Sequence, residues 1–377
     1  MLDKSSCLCC NACVSVCPKN AIKLVEYKGF LYPEINTEQC ISCGLCDKVC
    51  TIEKNSLLNV YGLKNKNTDD LKKSTSGGVY MLMARHIIND GGVVYGAKDF
   101  NGIVKICRAT NVSEALDFCG SKYVHCDMNN AYIGVLDDLK NNKSVLFCGT
   151  SCQINALQQF LKIKHCDTKN LITLDFICHG TPSPKMYSDF IKYVEKIRRK
   201  KIKKYHFRSK SIPWRTGVCA SAASFIEYED EKHERGLLPL CYMELFFKNI
   251  ALKNACFDCP FVGDSKPSDF TMGDFWGIEN ENPDFYSKLG VSLLCVNTEK
   301  AQMFFDAIKD DAYIFESTKE SAFRRQPNIF SSTKKPGNIE EFWNDYYAQD
   351  FTYIMKKYVN YTPWRRFKHV IKRILRK

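Results

Sequence analysis

The stretch Cys7-Leu8-Cys9-Cys10-Asn11-Ala12-Cys13-Val14-Ser15-Val16-Cys17-Pro18 carries four cysteines spaced C-x2-C-x2-C-x3-C. The same spacing returns at Cys40, Cys43, Cys46 and Cys50, with Thr51 where the first run has its proline. Three thiolates on one tight turn reach three corners of an iron–sulfur cube. The next residue has turned away, so the fourth corner needs a cysteine from elsewhere. This reading assigns Cys7, Cys10, Cys13 and Cys50 to one 4Fe-4S cluster, and Cys40, Cys43, Cys46 and Cys17 to a second. Pro18 suits the end of the short helical turn after the last ligand.

The pattern resembles that of bacterial two-cluster ferredoxins, in which the fourth cysteine of each run serves the other run's cluster. A zinc module wants two separated pairs of thiolates, which three close cysteines and a distant fourth suit poorly. A disulfide framework fits less well still. The chain opens MLDKSSCLCC without an apolar signal core, has no apolar span of 18 residues, and holds 21 cysteines, a combination expected of a reducing cytosol. Cys9 is surplus to the spacing and is expected to be a packed bystander.

With 377 residues and 45% hydrophobic composition the chain can bury a substantial core in two or three domains. Its formal charge of +12 is concentrated at the end: residues 351–377 hold nine Lys or Arg and no acid. The body is therefore no evident polyanion binder, and nucleic acid is not an expected partner. A second basic run, residues 196–210, reads as the solvated end of a helix running into a strand.

Residues 1–58 are expected to form the cluster domain, with a hairpin over residues 21–35, and residues 60–73 read as a polar linker. Beyond lie alternating elements. Helices are expected over Val79–Asn89 and residues 131–139, 152–161 and 185–197; strands are expected over residues 93–97, 144–148 and 171–178. The fold class is thus α+β and α/β: a ferredoxin-type two-cluster domain followed by a mixed α/β body, with residues 59–180 its α/β part, 181–350 its α+β part, and 351–377 a basic tail.

Ser74-Thr75-Ser76-Gly77-Gly78 precedes a predicted helix, and its small residues leave backbone amides open to a phosphate or to a plain N-cap role. No G-x-G-x-x-G follows a strand. Cys152 sits at a strand-to-helix junction, where a thiolate is favoured. Cys178-His179-Gly180 ends the next strand, at the carboxyl edge where ligands bind in open sheets. Cys256 and Cys259 form a C-x2-C pair.

These segments resemble the beta subunit family of coenzyme F-420 hydrogenases and dehydrogenases. The matching stretches are STSGG at Ser74, GSKYV at Gly120, FCGTSCQINAL at Phe147, CHGTPSP at Cys178, FRSK at Phe207, and ACFDCPF followed by SDFTMGDFWGI. Ser151 departs from the proline usual before the family's cysteine. The resemblance implies an FAD-binding body that exchanges hydride with a substrate and single electrons with the clusters. Ser74, Ser76, Gly77, Gly78 and Lys122 become candidate flavin contacts. Cys152, Cys178, Cys256 and Cys259 become candidate ligands of a third 4Fe-4S cluster, against the plainer reading of buried small hydrophobes. His179 and Asp274 are the candidate proton donors, against a core histidine and a turn-capping aspartate.

In the tail, Trp364, Phe367, Val370, Ile371, Ile374 and Leu375 recur at helical spacing among Arg365, Arg366, Lys368, Lys372, Arg373 and Arg376. A basic amphipathic helix of this kind lies on an anionic membrane surface or docks on protein. The expectation is therefore a cytoplasmic iron–sulfur flavoprotein oxidoreductase, peripheral to the inner face of the membrane. It would act on a soluble substrate or coenzyme, with ferredoxin or another redox protein as partner. The alternative is a non-catalytic electron-transfer subunit. A sensing or scaffolding role has no feature in its favour.

Overall fold

The computed structural model describes residues 3–214 and 223–374. Within the first 58 residues, β1 (Ile22–Tyr27) and β2 (Phe30–Ile35) form an antiparallel hairpin, and short helices follow each cysteine turn at Ala12–Val16 and Leu45–Lys48. So small a unit has little interior of its own. Ala12, Cys13 and Val16 are instead buried in one core with Tyr132, Phe160 and Leu161 of the body.

The body is built on a mixed eight-stranded sheet. Its strands are β3 (Asn59–Asn65), β4 (Val93–Asp99), β5 (Val104–Ala109), β6 (Val145–Cys148), β7 (Leu171–Phe176) and, after a separate three-stranded sheet, β11 (Phe270–Asp274), β12 (Ser292–Val296) and β13 (Ala312–Ser317). The smaller sheet comprises β8 (Ile202–His206), β9 (Phe225–Tyr228) and β10 (His233–Arg235). The large sheet runs β13-β3-β12-β11-β7-β6-β4-β5; β4, β6, β7 and β11 are parallel, and every other pairing is antiparallel. Central strands covered on both faces read as unbroken apolar runs, as in Leu171-Ile172-Thr173-Leu174 and Ser292-Leu293-Leu294-Cys295-Val296, all buried. Strands from both sides of residue 180 enter this one sheet.

The expected linker over residues 60–73 is absent. Asn59–Asn65 is an interior strand and Thr68–Lys73 a helix, N-capped by Asn67, whose side chain accepts from the amides of Asp69 and Asp70 at 3.1 Å. Its Asn and Lys residues suggest solvent, but Val60, Leu63 and even Asn65 are buried between β12 and β13. Tertiary pairing outweighs local polarity here. The expected helices and strands of residues 79–198 occur within two residues of their predicted ends.

Candidate redox centres and cofactor pocket

The two cysteine runs face each other. Cys50 stands beside Cys7, Cys10 and Cys13, close enough to act on their ionisation. Cys17, Cys40, Cys43 and Cys46 line one cavity of about 250 Å³. Among the described residues no three His, Cys, Asp or Glu side chains converge as the ligands of a single metal ion would. The second set of thiols instead surrounds a space, which suits a cube whose own irons and sulfides fill the middle. The two sets differ in exposure. Residues 41–44, Cys43 among them, are exposed, whereas Cys13 is buried and Cys7 and Cys10 are half-buried. Burial pushes the Cys10 thiol up to about 12, so holding iron there means displacing a proton.

The body grips the first run through its backbone. Three successive carbonyls accept bonds from three body side chains: Leu8 from Lys253 Nζ at 2.6 Å, Cys9 from His125 Nε2 at 3.0 Å, and Cys10 from the Tyr132 hydroxyl at 2.7 Å. A carbonyl can only accept, so His125 carries its proton on Nε2. Its Nδ1 lies 3.3 Å from the Thr181 hydroxyl, and burial holds the imidazole neutral, its pKa pushed down to about 3.

The four body cysteines gather behind this turn. Thr150 and Gln153 form a capping box, the T-x-x-Q signature of a helix start, which sets Cys152 in the first turn of the Ser151–Ile163 helix at the end of β6. Cys178 follows β7, the neighbouring parallel strand, so both thiols emerge at one sheet edge. The chain around Leu252 pairs with residues 181–183, through the amides of Ser183 and Lys253, and brings Cys256 and Cys259 to the same place. Gly180 permits the approach: at φ 135°, a Cβ there would meet Leu252 Cδ1 at 2.9 Å. Cys152, Cys256 and Cys259 all act on the ionisation of Cys178, and burial pushes Cys259 up to about 11. Cys10 of the first run is a neighbour of Cys152. The structure brings these four thiols together against the first cysteine turn.

A cavity of about 460 Å³ opens between the start of the Val79–Asn89 helix, the 116–122 segment and the end of β8. Lys72, Lys73, Ser74 and Thr75 form one wall; Lys204, Arg208 and Lys210 form another. The two acids on its lining are engaged elsewhere, Asp99 by the Tyr187 hydroxyl and Asp117 by Lys98. Phe207, Trp214 and Phe225 add aromatic surface, the last stacked on His206 with ring centres 4.0 Å apart. Lys73 and Lys204, which pair with no acid among the described residues, and Arg208, held by Asp274, stand beside aromatic faces, a donor set that would suit a flavin dinucleotide. An aromatic series links this wall to the body thiols: Phe207 to Tyr123 at 6.0 Å, Tyr123 to Phe246 at 4.8 Å, and Phe246 to His179, next to Cys178, at 5.0 Å.

Several sequence expectations need correction. Of the five flavin contacts only Ser74 and Lys122 line the cavity, and the Lys122 ammonium is spent on the carbonyls of Asp117, Phe118 and Cys119. Ser76 donates to the Val291 carbonyl. Gly77 is a packing glycine, since a Cβ would lie 2.0 Å from the Leu63 carbonyl oxygen, and Gly78 caps the helix. Neither His179 nor Asp274 lines the cavity. His179 lies 2.7 Å from Asn249 Oδ1 and is walled by Phe246 and Phe247. Asp274 pairs with Arg208 at 2.7 Å and accepts from Trp214 Nε1 at 3.1 Å, an arrangement that orients Arg208. Arg208 and Lys210 are the residues the sequence reading missed. They belong to the FRSK segment, but the basic run around them looks like a solvated face.

Residues 142–321 match the family described as the C terminus of the coenzyme F420 hydrogenase/dehydrogenase beta subunit, and residues 6–53 match the 4Fe-4S dicluster domain. No curated protein matches. Among solved structures, the chain is similar to one in the xenon-derivatised F420-reducing NiFe hydrogenase complex from Methanosarcina barkeri. That chain is 14% identical, with a TM-score of 0.49, over 74% of the present chain and 92% of its own.

Proposed function

We propose that this chain, which belongs through residues 142–321 to the coenzyme F420 hydrogenase/dehydrogenase beta subunit family and carries a 4Fe-4S dicluster domain at residues 6–53, is an iron–sulfur flavoprotein oxidoreductase with a linear electron path. Cys17, Cys40, Cys43 and Cys46, with Cys43 exposed, would hold the cluster that exchanges electrons with ferredoxin or another redox protein. Cys7, Cys10, Cys13 and Cys50 would hold the next cluster, and Cys152, Cys178, Cys256 and Cys259 a third 4Fe-4S centre. The observation that carries this reading is the packing of the four body thiols against the buried face of the first cysteine turn. Bound FAD supplies the exchange between one-electron and hydride chemistry that joins such a path to a soluble substrate. Arg208, Lys210, Lys72 and Lys73 would hold its phosphates, Asp274 fixes Arg208, and Phe207, Trp214 and Phe225 would shield the ring.

Anaerobic purification with flavin and iron assays tests the reading. It expects about one flavin and about twelve irons per chain, falling to about eight when Cys256 and Cys259 are replaced by serine. About eight in both proteins removes the third centre, and zinc or no metal removes the whole reading.

One observation favours the relay alternative, in which the chain hands electrons to a partner enzyme: neither expected proton donor lines the cavity. Flavin without turnover on any hydride donor would select it. For the tail, the Pro363–Ile374 helix is tied to the body through Arg365, which bonds Glu244 at 2.9 Å, while Trp364 and Phe367 remain 63% and 56% exposed. Leu375 and Arg376 lie outside the described residues, as do the side chains of Val370, Lys372, Arg373 and Ile374. The exposed Trp364 and Phe367 beside Arg366 and Lys368 support peripheral binding to the anionic inner face of the cytoplasmic membrane. Liposome co-sedimentation that is indifferent to loss of residues 361–377 ends that part.

A further inference from the structure

Lys253 is 1% exposed, and among the described residues no carboxylate pairs with it. A lysine so placed is among the costliest groups to bury and needs a countercharge nearby. The described groups nearest it in effect are thiols. The ammonium donates to the Leu8 carbonyl at 2.6 Å and lies 4.0 Å from Cys152 Sγ, with Cys256, Cys9 and Cys10 also close enough to act on it.

We propose that Lys253 is a fixed cation shared by two redox centres, the one on the first cysteine run and the one on the four body cysteines, and that it sets how readily this junction accepts an electron. The inference rests on the third centre proposed above. Iron–sulfur potentials respond to net charge, hydrogen bonding and exposure. Each electron added to a cube makes it more negative, and a buried cation within a few ångströms favours that state strongly because no water screens it. The geometry makes Lys253 common to both sides. Its side chain holds the turn between Cys7 and Cys10, its amide donates to the Thr181 carbonyl at 3.1 Å, and it lies three residues before Cys256. His125 and Tyr132 hold the next two carbonyls of the same turn, but His125 is neutral and Tyr132 a phenol, so the charge belongs to Lys253 alone.

The test is an anaerobic potentiometric titration, followed by electron paramagnetic resonance, of the full iron-loaded chain and its Lys253→Gln, Lys253→Met and Lys253→Arg variants. Iron per chain is measured on the same samples. Gln keeps a donor for the Leu8 carbonyl and drops the charge. It is expected to make reduction of at least one centre tenfold less favourable, about 59 mV for one electron, while Arg stays within threefold of the parent. A Gln variant that loses iron while Arg retains it supports the same dependence on charge. Unchanged potentials in the Gln and Met variants of a chain holding about twelve irons overturn the proposal and leave the third centre standing. About eight irons in the parent chain overturn the third centre, and the proposal with it.

Discussion

Replacing His125 with glutamine should flatten part of the chain's acid sensitivity. The ring is buried, bonded through Nε2 to the Cys9 carbonyl and through Nδ1 to Thr181, and set edge-on to Phe30 with centres 5.8 Å apart. Burial first, then the Lys253 charge, depresses its pKa from 6.5 to about 3. Between those values the unfolded chain binds a proton that the folded chain refuses. Stability from this group is therefore complete above pH 6.5 and drains away as pH falls towards 3. Between pH 7.5 and 5.5 that one group removes about 1.4 kcal/mol. Glutamine can still donate to the Cys9 carbonyl but does not titrate. Its loss of ring packing lowers stability equally at both pH values. Urea unfolding of iron-loaded protein, run without oxygen at the two pH values, reads the difference. At a slope of about 3 kcal/mol per M, the parent midpoint should drop by about 0.5 M more than the variant's. Equal drops would mean that His125 is not held neutral by its burial, and the argument would fail.

Arg208→Met should weaken FAD binding about 10-fold or more, the loss of a charge-assisted contact worth about 1.5–3 kcal/mol, whereas Lys73→Met at the exposed wall should cost a few-fold; fluorescence quenching on apoprotein reads both. Burial pushes Lys210 down to about 7, so its charge fades as pH rises through neutrality. FAD affinity should fall between pH 6 and 9, and Lys210→Met should flatten that profile. Exchange of fourth ligands between the runs is checked by Cys50→Ser, which should remove the resonance of the buried first-run centre and about four irons. A spectrum in which Cys50→Ser removes only the exposed centre would reverse the assignment.

The grouping of the eight leading thiols is legible in the spacing because an iron–sulfur cube imposes its own geometry on any chain that holds it. The long body elements are legible for a similar reason: helical periodicity over Val79–Asn89 and the apolar run of Leu171–Phe176 admit few other readings. The cavity is not. Its walls come from residues 72–75, Asp99, residues 116–122 and 204–214, and residues 223–225, segments far apart in the chain. Lys204, Arg208 and Lys210 look like surface charge until Asp274, 64 residues beyond Lys210, is seen to pair with Arg208. Gly77 shows the opposite error. A glycine pair before a helix suggests a phosphate cradle, yet here the missing side chain makes room for the carbonyl of Leu63. The mistaken linker has the same origin, since nothing local reveals that Asn59–Asn65 is gripped between β12 and β13.

The three carbonyls at Leu8, Cys9 and Cys10 have a bearing on how the protein is made. Their partners are His125, Tyr132 and Lys253, so this turn waits for some 245 further residues of synthesis before its grip is complete. The first cysteine turn therefore reaches its final setting late, only once the body has closed around it. A nascent chain arrested before residue 253 would emerge with the turn at Cys7–Cys10 still unguarded on that side.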